Sequence, residues 1–225
     1  PAVARAEAMA PPDGGGNGML EDSIEDWGLW MGWSTPEGTH PDAIPLETLS
    51  YVLSYGRGTR LDDAMYYKRR VASETWAWLS PGEVSSQFII YTAAMKSKVE
   101  KMSRMIEGVL ADVVSSPPTD AEMDRAKRVM QAEMLDALER PEDRAEQISE
   151  CMAAYGRPDC FAERWDRIGA VTADDLVRVT ETWLTPARRT TLSVIPEGAG
   201  GALPDATPVE PVSYTHLRAH ETVRN

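Results

Sequence analysis

The stretch from Gly56 to Trp76, GRGTRLDDAMYYKRRVASETW, limits the possible folds more than any other part of the chain. Gly56-Arg57-Gly58 is a turn that ends one helix and lets the backbone take positive φ. Thr59 then caps a short polar helix carrying Leu61, Met65 and Tyr66. From Ala72 to Leu79, threonine and two tryptophans favour a strand. A Ser80-Pro81-Gly82 turn and the apolar run Phe88-Ile89-Ile90-Tyr91 complete a helix followed by a hairpin. A hairpin is not stable alone, so the remaining elements must cover one of its faces.

Those elements follow from apolar spacing. Trp27 to Trp33, WGLWMGW, has apolar residues at both parities and predicts a strand buried on both faces, with Gly28 and Gly32 packed close against a helix. Asp42 to Tyr55 predicts a helix whose buried stripe is Ile44, Leu46, Leu49, Val52 and Leu53. Lys96 to Ser115 predicts another, through Val99, Met102, Ile106, Val109, Leu110 and Val113, stopped by Pro117-Pro118. Thr119 to Glu122 is a capping box that opens the next helix, and Pro141 breaks or restarts it. A short helix over Cys160–Ile168 follows the Gly156-Arg-Pro turn. Thr172 to Asp175 is a second box-like start, with Val171 as its staple, and Arg189 to Ile195 predicts a final strand. The order β-α-α-β-β-α-α-α-β predicts an α+β fold, a mainly antiparallel sheet with helices packed on it. Residues 23–196 form the domain. The Ala/Pro/Gly-rich residues 1–22 are assigned to a linker and 197–211 to a flexible tail.

Composition excludes several functions. A formal net charge of −13 argues against nucleic acid, because phosphate binding needs a basic surface. No apolar run approaches the roughly 20 residues of a membrane span. Seven tryptophans and eleven methionines against two phenylalanines make indole and thioether the main bulky core material. Trp27, Trp30, Trp33, Trp76 and Trp78 all fall in predicted strands and are read as core and sheet packing, with an aromatic binding surface as the alternative. Cys151 and Cys160 flank the Gly156 turn and are read as free thiols, with a bridge across the turn as the alternative.

The C-terminus needs separate treatment. Val212 to Thr222, VSYTHLRAHET, back-translates in one frame to the transposon end used in sequencing libraries, so 212–225 are expected to be adapter read-through. That expectation sets aside His216, His220 and Glu221, which would otherwise suggest a helical metal site. His40, in a Gly-Thr-His-Pro loop, then has no partner histidine and is read as a solvated loop residue. Gly14-Gly15-Gly16 has no following Lys-Ser/Thr and is no phosphate loop. No Ser/His/Asp nucleophile constellation is apparent.

The glycine turn with Thr59-Arg60-Leu61, its helix and the strand pair resemble the second domain of the pitrilysin/insulinase family of inverzincin peptidases, to whose superfamily mitochondrial processing peptidase and the bc1 core proteins belong. Other patterns appear in the matching order: Trp33-Ser-Thr-Pro36, Pro41-Asp42, Pro118-Thr119 with Glu122 and Ala126-Lys127, Ala170-Val-Thr172 with Asp175, and Thr191 to Pro196. The resemblance implies the mitochondrial-processing-peptidase-like fold, a peptide substrate, and a zinc-binding domain on the same chain or on a partner subunit. It implies no zinc in this fragment, which lacks the family's H-x-x-E-H. In competent relatives an arginine and a tyrosine seven positions apart hold the substrate backbone. Here those positions are Tyr66 and Ser73, and both depart from the pattern. Arg69 or Arg70 could supply the cation after a register shift; the plainer reading is a basic helix end. The implied role is a non-catalytic chamber wall, with a peptidase-free scaffold or partner subunit as the alternative. A bacterial periplasmic or secreted location is likewise implied by resemblance alone.

Overall fold

The computed structural model describes residues 15–67, 70–95 and 99–210. Four strands form the antiparallel part of one sheet: β2 (Trp27–Thr35) pairs antiparallel with both β4 (Ser86–Ala94) and β5 (Arg189–Pro196), and β3 (Glu74–Ser80) pairs antiparallel with β4 at the edge. β1 (Asn17–Asp22) and β6 (Thr207–Pro208) extend it in parallel, giving the order β3-β4-β2-β5-β1-β6. Residues 17–22, expected in the linker, are therefore a strand. The tail expected at 197–211 likewise contributes β6 and the buried Leu203 to the domain. Both corrections have one physical cause. A strand that lies flat on a sheet needs few apolar residues, so glycine- and proline-rich composition hid its backbone pairing. At Gly15 the chain runs so close to β5 that a Cβ would fall 1.6 Å from the Arg189 carbonyl oxygen, which only glycine allows.

All helices lie on one face. α1 (Ala43–Ser54) is buried on nearly every side and contacts β3, α4 (Asp120–Glu139), α6 (Phe161–Ala170) and α7 (Ala173–Trp183). The predicted stripe is thus part of a central helix, apolar almost all round as such helices are. α3 (Val99–Ser115) and α7 pack on β2. α5 (Pro141–Tyr155) follows α4 after Arg140, as the proline signalled. Both capping boxes form, Thr119 with Glu122 and Thr172 with Asp175. Gly56 and Gly58 take φ of 91° and 74°, as the turn required. Beyond them lies α2 (Arg60–Asp62), which runs into a π-helical turn, Asp63–Tyr67.

The sheet has two unlike faces. Leu29, Met31 and Trp33 of β2, with Phe88 and Ile90 of β4, point to the helices and are buried. Trp30 points the other way and is 38% exposed. The expectation of a strand buried on both faces is therefore wrong. Gly32 has nothing within 4 Å of a notional Cβ, and Gly28 faces Tyr91 and Val194, so neither packs against a helix. The apolar residues at both parities of β2 serve a core on one side and an open surface on the other.

Polar links join the motifs that looked independent in sequence. Arg60 Nε donates to Glu122 Oε1 (2.7 Å) and Nη2 donates to Oε2 (3.2 Å). Its Nη1 reaches the carbonyls of Ser116 (2.8 Å) and Asp112 (3.3 Å) at the end of α3. Asp42, at the start of α1, accepts from Arg178 (2.7 Å) and from the Trp183 indole (2.8 Å), both on α7. Hydrogen bonding from Arg60 holds the Glu122 carboxyl down at about 2. A carboxylate depressed when folded adds stability above its unfolded value of about 4.5 and loses it as pH falls towards 2. Arg60→Met should accordingly lower stability by about 2 kcal/mol at neutral pH. In denaturant titrations the deficit should shrink as pH falls from about 4.5 to 2; an unchanged deficit would show that packing, not the ion pair, carries it.

Candidate functional site

No group of three or more His, Cys, Asp or Glu able to hold a metal occurs among the described residues. His40 shows why. Its Nδ1 accepts the Asp42 backbone N–H at 3.1 Å, and the Asp42 carboxylate is already taken by Arg178 and Trp183. The residues here do not fit zinc, and no step through a metal follows from them. His216, His220 and Glu221 lie outside the described residues.

Tyr66 and Ser73 flank the entry to the edge strand β3. Tyr66 sits in the π-helical turn, 49% exposed, and its carbonyl accepts the Arg70 N–H at 3.2 Å. Arg70 takes a positive φ of 46°; Arg69 lies outside the described residues. Ser73 Oγ donates to the Ala93 carbonyl at 3.1 Å, fastening the first residue before β3 onto β4. The edge itself is not bare at its middle. Ser54 Oγ of α1 accepts the Ala77 N–H (2.7 Å) and donates to the Ala77 carbonyl (3.2 Å). Both outward backbone groups of Ala77 are therefore occupied, which blunts the edge as a template for strand addition.

The open sheet face is the more distinctive surface. Register puts Trp30, Tyr91 and Trp76 in one row across β2, β4 and β3. Trp30 and Tyr91 rings lie 4.5 Å apart, and Trp78 meets Trp30 edge-on at 6.0 Å. Trp76 is 53% exposed. Burial, with Glu74 and Asp26 nearby, pushes the Tyr91 hydroxyl up. Of the reading as core and sheet packing, core holds for Trp33, which is 2% exposed and whose Nε1 donates to the Thr185 carbonyl at 3.0 Å. Trp30 packs on the sheet against Tyr91 and Trp78 but outside the core, and Trp76 is exposed. Even-numbered parity in a strand with a core on its odd side was the signal available for them.

The described residues thus form a mixed α+β domain with no metal ligand set and an aromatic, uncovered sheet face. Residues 22–130 match the peptidase M16 inactive domain. Zinc protease PqqE of Helicobacter pylori is 24% identical over 170 residues, covering 74% of this chain and 37% of that protein. The structure of a protease from Helicobacter pylori superposes with a TM-score of 0.76 at 21% identity, over 84% of this chain and 46% of that one. The peptidase M16 inactive domain from Pseudomonas fluorescens gives 0.71 at 20% identity, over 94% of this chain and 48% of that one. The chain therefore spans less than half the length of these relatives. Among the described residues no helix is long and apolar enough to cross a membrane.

The two classes of tryptophan should separate in a stability measurement. Trp33→Ala should cost about 3–5 kcal/mol, the range for emptying an aromatic core site. Trp76→Ala should cost under about 1 kcal/mol, as read from chemical denaturation. Equal losses would place Trp76 in the core.

Proposed function

We propose that this domain is the non-catalytic wall of a zinc-dependent peptidase. It docks through its open sheet face on a zinc-bearing domain, on the same chain or on a partner subunit, and together they enclose peptide substrates. The observation that carries the reading is the row Trp30, Tyr91, Trp76 with Trp78 beside it. A sheet face left to water is normally polar, whereas large aromatic groups on it mark a surface that another body covers. The relatives' greater length leaves room for such a body. The name of the Helicobacter pylori relative, a zinc protease, supports the chemistry assigned to the whole.

Within this reading Tyr66 and Ser73 contact the substrate backbone as hydrogen-bonding groups beside β3, without the arginine of competent relatives. The bridge between Cys151 and Cys160 supports an oxidising compartment, the bacterial periplasm or exterior. One observation favours a second reading, a scaffold subunit with no peptidase activity: both substrate-clamp positions depart from the catalytic pattern.

The test is reconstitution. Adding this chain to the zinc-bearing domain encoded with it should raise hydrolysis of a quenched fluorescent peptide by about tenfold or more. The double variant Trp30→Ala/Trp76→Ala should weaken the association by about 2 kcal/mol or more, as expected for exposed aromatic anchors. Association without hydrolysis would favour the scaffold; absence of association would end both readings.

A further inference from the structure

On the helical side, α5 is an unusual element. Of its fifteen residues only Cys151 is buried, and Ile148 and Met152 are 42% and 48% exposed. Packing of this kind does not hold a helix in place. A covalent bond does: Cys151 is joined to Cys160, the residue just before α6, in a disulfide. This overturns the sequence reading of two free thiols. The turn closed by Gly156 brings the two Cα atoms to 5.5 Å, a spacing that a bridge spans without backbone movement.

Held this way, α5 stands off from the body and forms one wall of a groove of about 980 Å³. The opposite walls are α1 and the β3–β4 turn, and α4 supplies the floor. Ile44, Met130, Met134, Leu138 and Ile148 make the lining apolar. Around it stand five glutamates, Glu37, Glu47, Glu83, Glu133 and Glu150, against two arginines, Arg144 and Arg164. Arg164 is neutralised by both oxygens of Glu47, at 2.7 and 2.8 Å. Glu133 accepts hydroxyl hydrogen bonds from Tyr51 (2.5 Å) and Tyr55. Glu37, Glu83 and Glu150 come from three separate elements, so negative charge surrounds the lining.

We propose that this groove is a docking site for an apolar segment of a peptide substrate carrying lysine or arginine side chains, and that the Cys151–Cys160 bridge sets its outer wall. The proposal rests on the peptide-handling reading above and adds a second contact, on the helical side. The edge of β3 is occupied at Ala77 by Ser54, whereas the groove opens beside Leu79, Pro81 and Gly82 at the end of the same strand. Its volume lies at the upper end of the ~300–1,000 Å³ typical of ligand sites, enough for a few side chains. Apolar lining supplies affinity and the glutamates supply charge selection, the division found where a charged rim surrounds an apolar centre.

The experiment measures fluorescence anisotropy of a labelled leucine/lysine peptide, and of its leucine/glutamate counterpart of equal length, with the full chain. The lysine peptide should bind about tenfold or more tighter than the glutamate peptide. Glu83→Gln/Glu150→Gln should remove most of that difference while leaving the fold intact by circular dichroism. Cys151→Ser/Cys160→Ser should weaken binding by about tenfold or more and speed amide exchange in α5. Ser54→Ala uncovers the edge groups of Ala77 and should leave affinity unchanged. Equal binding of the two peptides would overturn the proposal. So would affinity that responds to Ser54→Ala and not to the groove variants, an outcome that leaves the chamber-wall reading standing. Failure of the lysine peptide to bind would overturn the groove proposal and leave the chamber-wall reading to the reconstitution experiment.

Discussion

The guanidinium of Arg60 is the point at which three helices, α2, α3 and α4, are held together. Helix ends leave carbonyls short of partners, and Pro117 and Pro118 after α3 have no N–H to offer, although the Asp112 carbonyl also accepts the Ser116 N–H at 2.9 Å. Arg60 takes the Asp112 and Ser116 carbonyls on one side and the Glu122 carboxylate on the other. Glu122 is at the same time the acid of the α4 capping box. One side chain therefore fixes α2 to the end of α3 and the start of α4. Both partners are mostly shielded from solvent, with side-chain exposures of 16% and 24%, so the pair is less screened than surface pairs such as Arg128 with Asp124. Asp42 does similar work across the layer by holding Arg178 and Trp183 of α7 to the start of α1.

These anchors show what the motifs do for the fold. Arg60 and Glu122 belong to separate sequence motifs, as do Asp42 and the helix opened by Thr172, and each pair meets in the fold. Their task is to hold helices on one face of the sheet. Among the described residues no helix covers the opposite face, and the aromatic row of Trp30, Tyr91 and Trp76 stands on it. A domain built in this way is well organised on its helical side and carries exposed aromatic surface on the other.

How much of this was legible depends on the range of the forces involved. Capping boxes at Thr119 and Thr172, the Gly56-Gly58 turn and the break at Pro141 are local chemistry, and each forms where its residues indicate. The amphipathic stripe of α3 likewise matches its buried residues. β1 and β6 were missed because their strand character comes from pairing with β5 and with each other, not from their own side chains. The Cys151–Cys160 bridge could not be decided from spacing, because nine residues of separation permit both a bridge and two thiols; the turn at Gly156 selects between them.

The sequence by itself determined the class of fold, the helix boundaries and the lack of a zinc motif, because propensity, capping and ligand type are properties of neighbouring residues. Only the tertiary structure decided which tryptophans face water, because Trp30 and Trp33 have equal hydrophobicity and differ in which side of one strand the helices cover. It also decided that α5 stands off from the body, since a helix with one buried residue keeps its position through a covalent bond to a residue beyond the next turn.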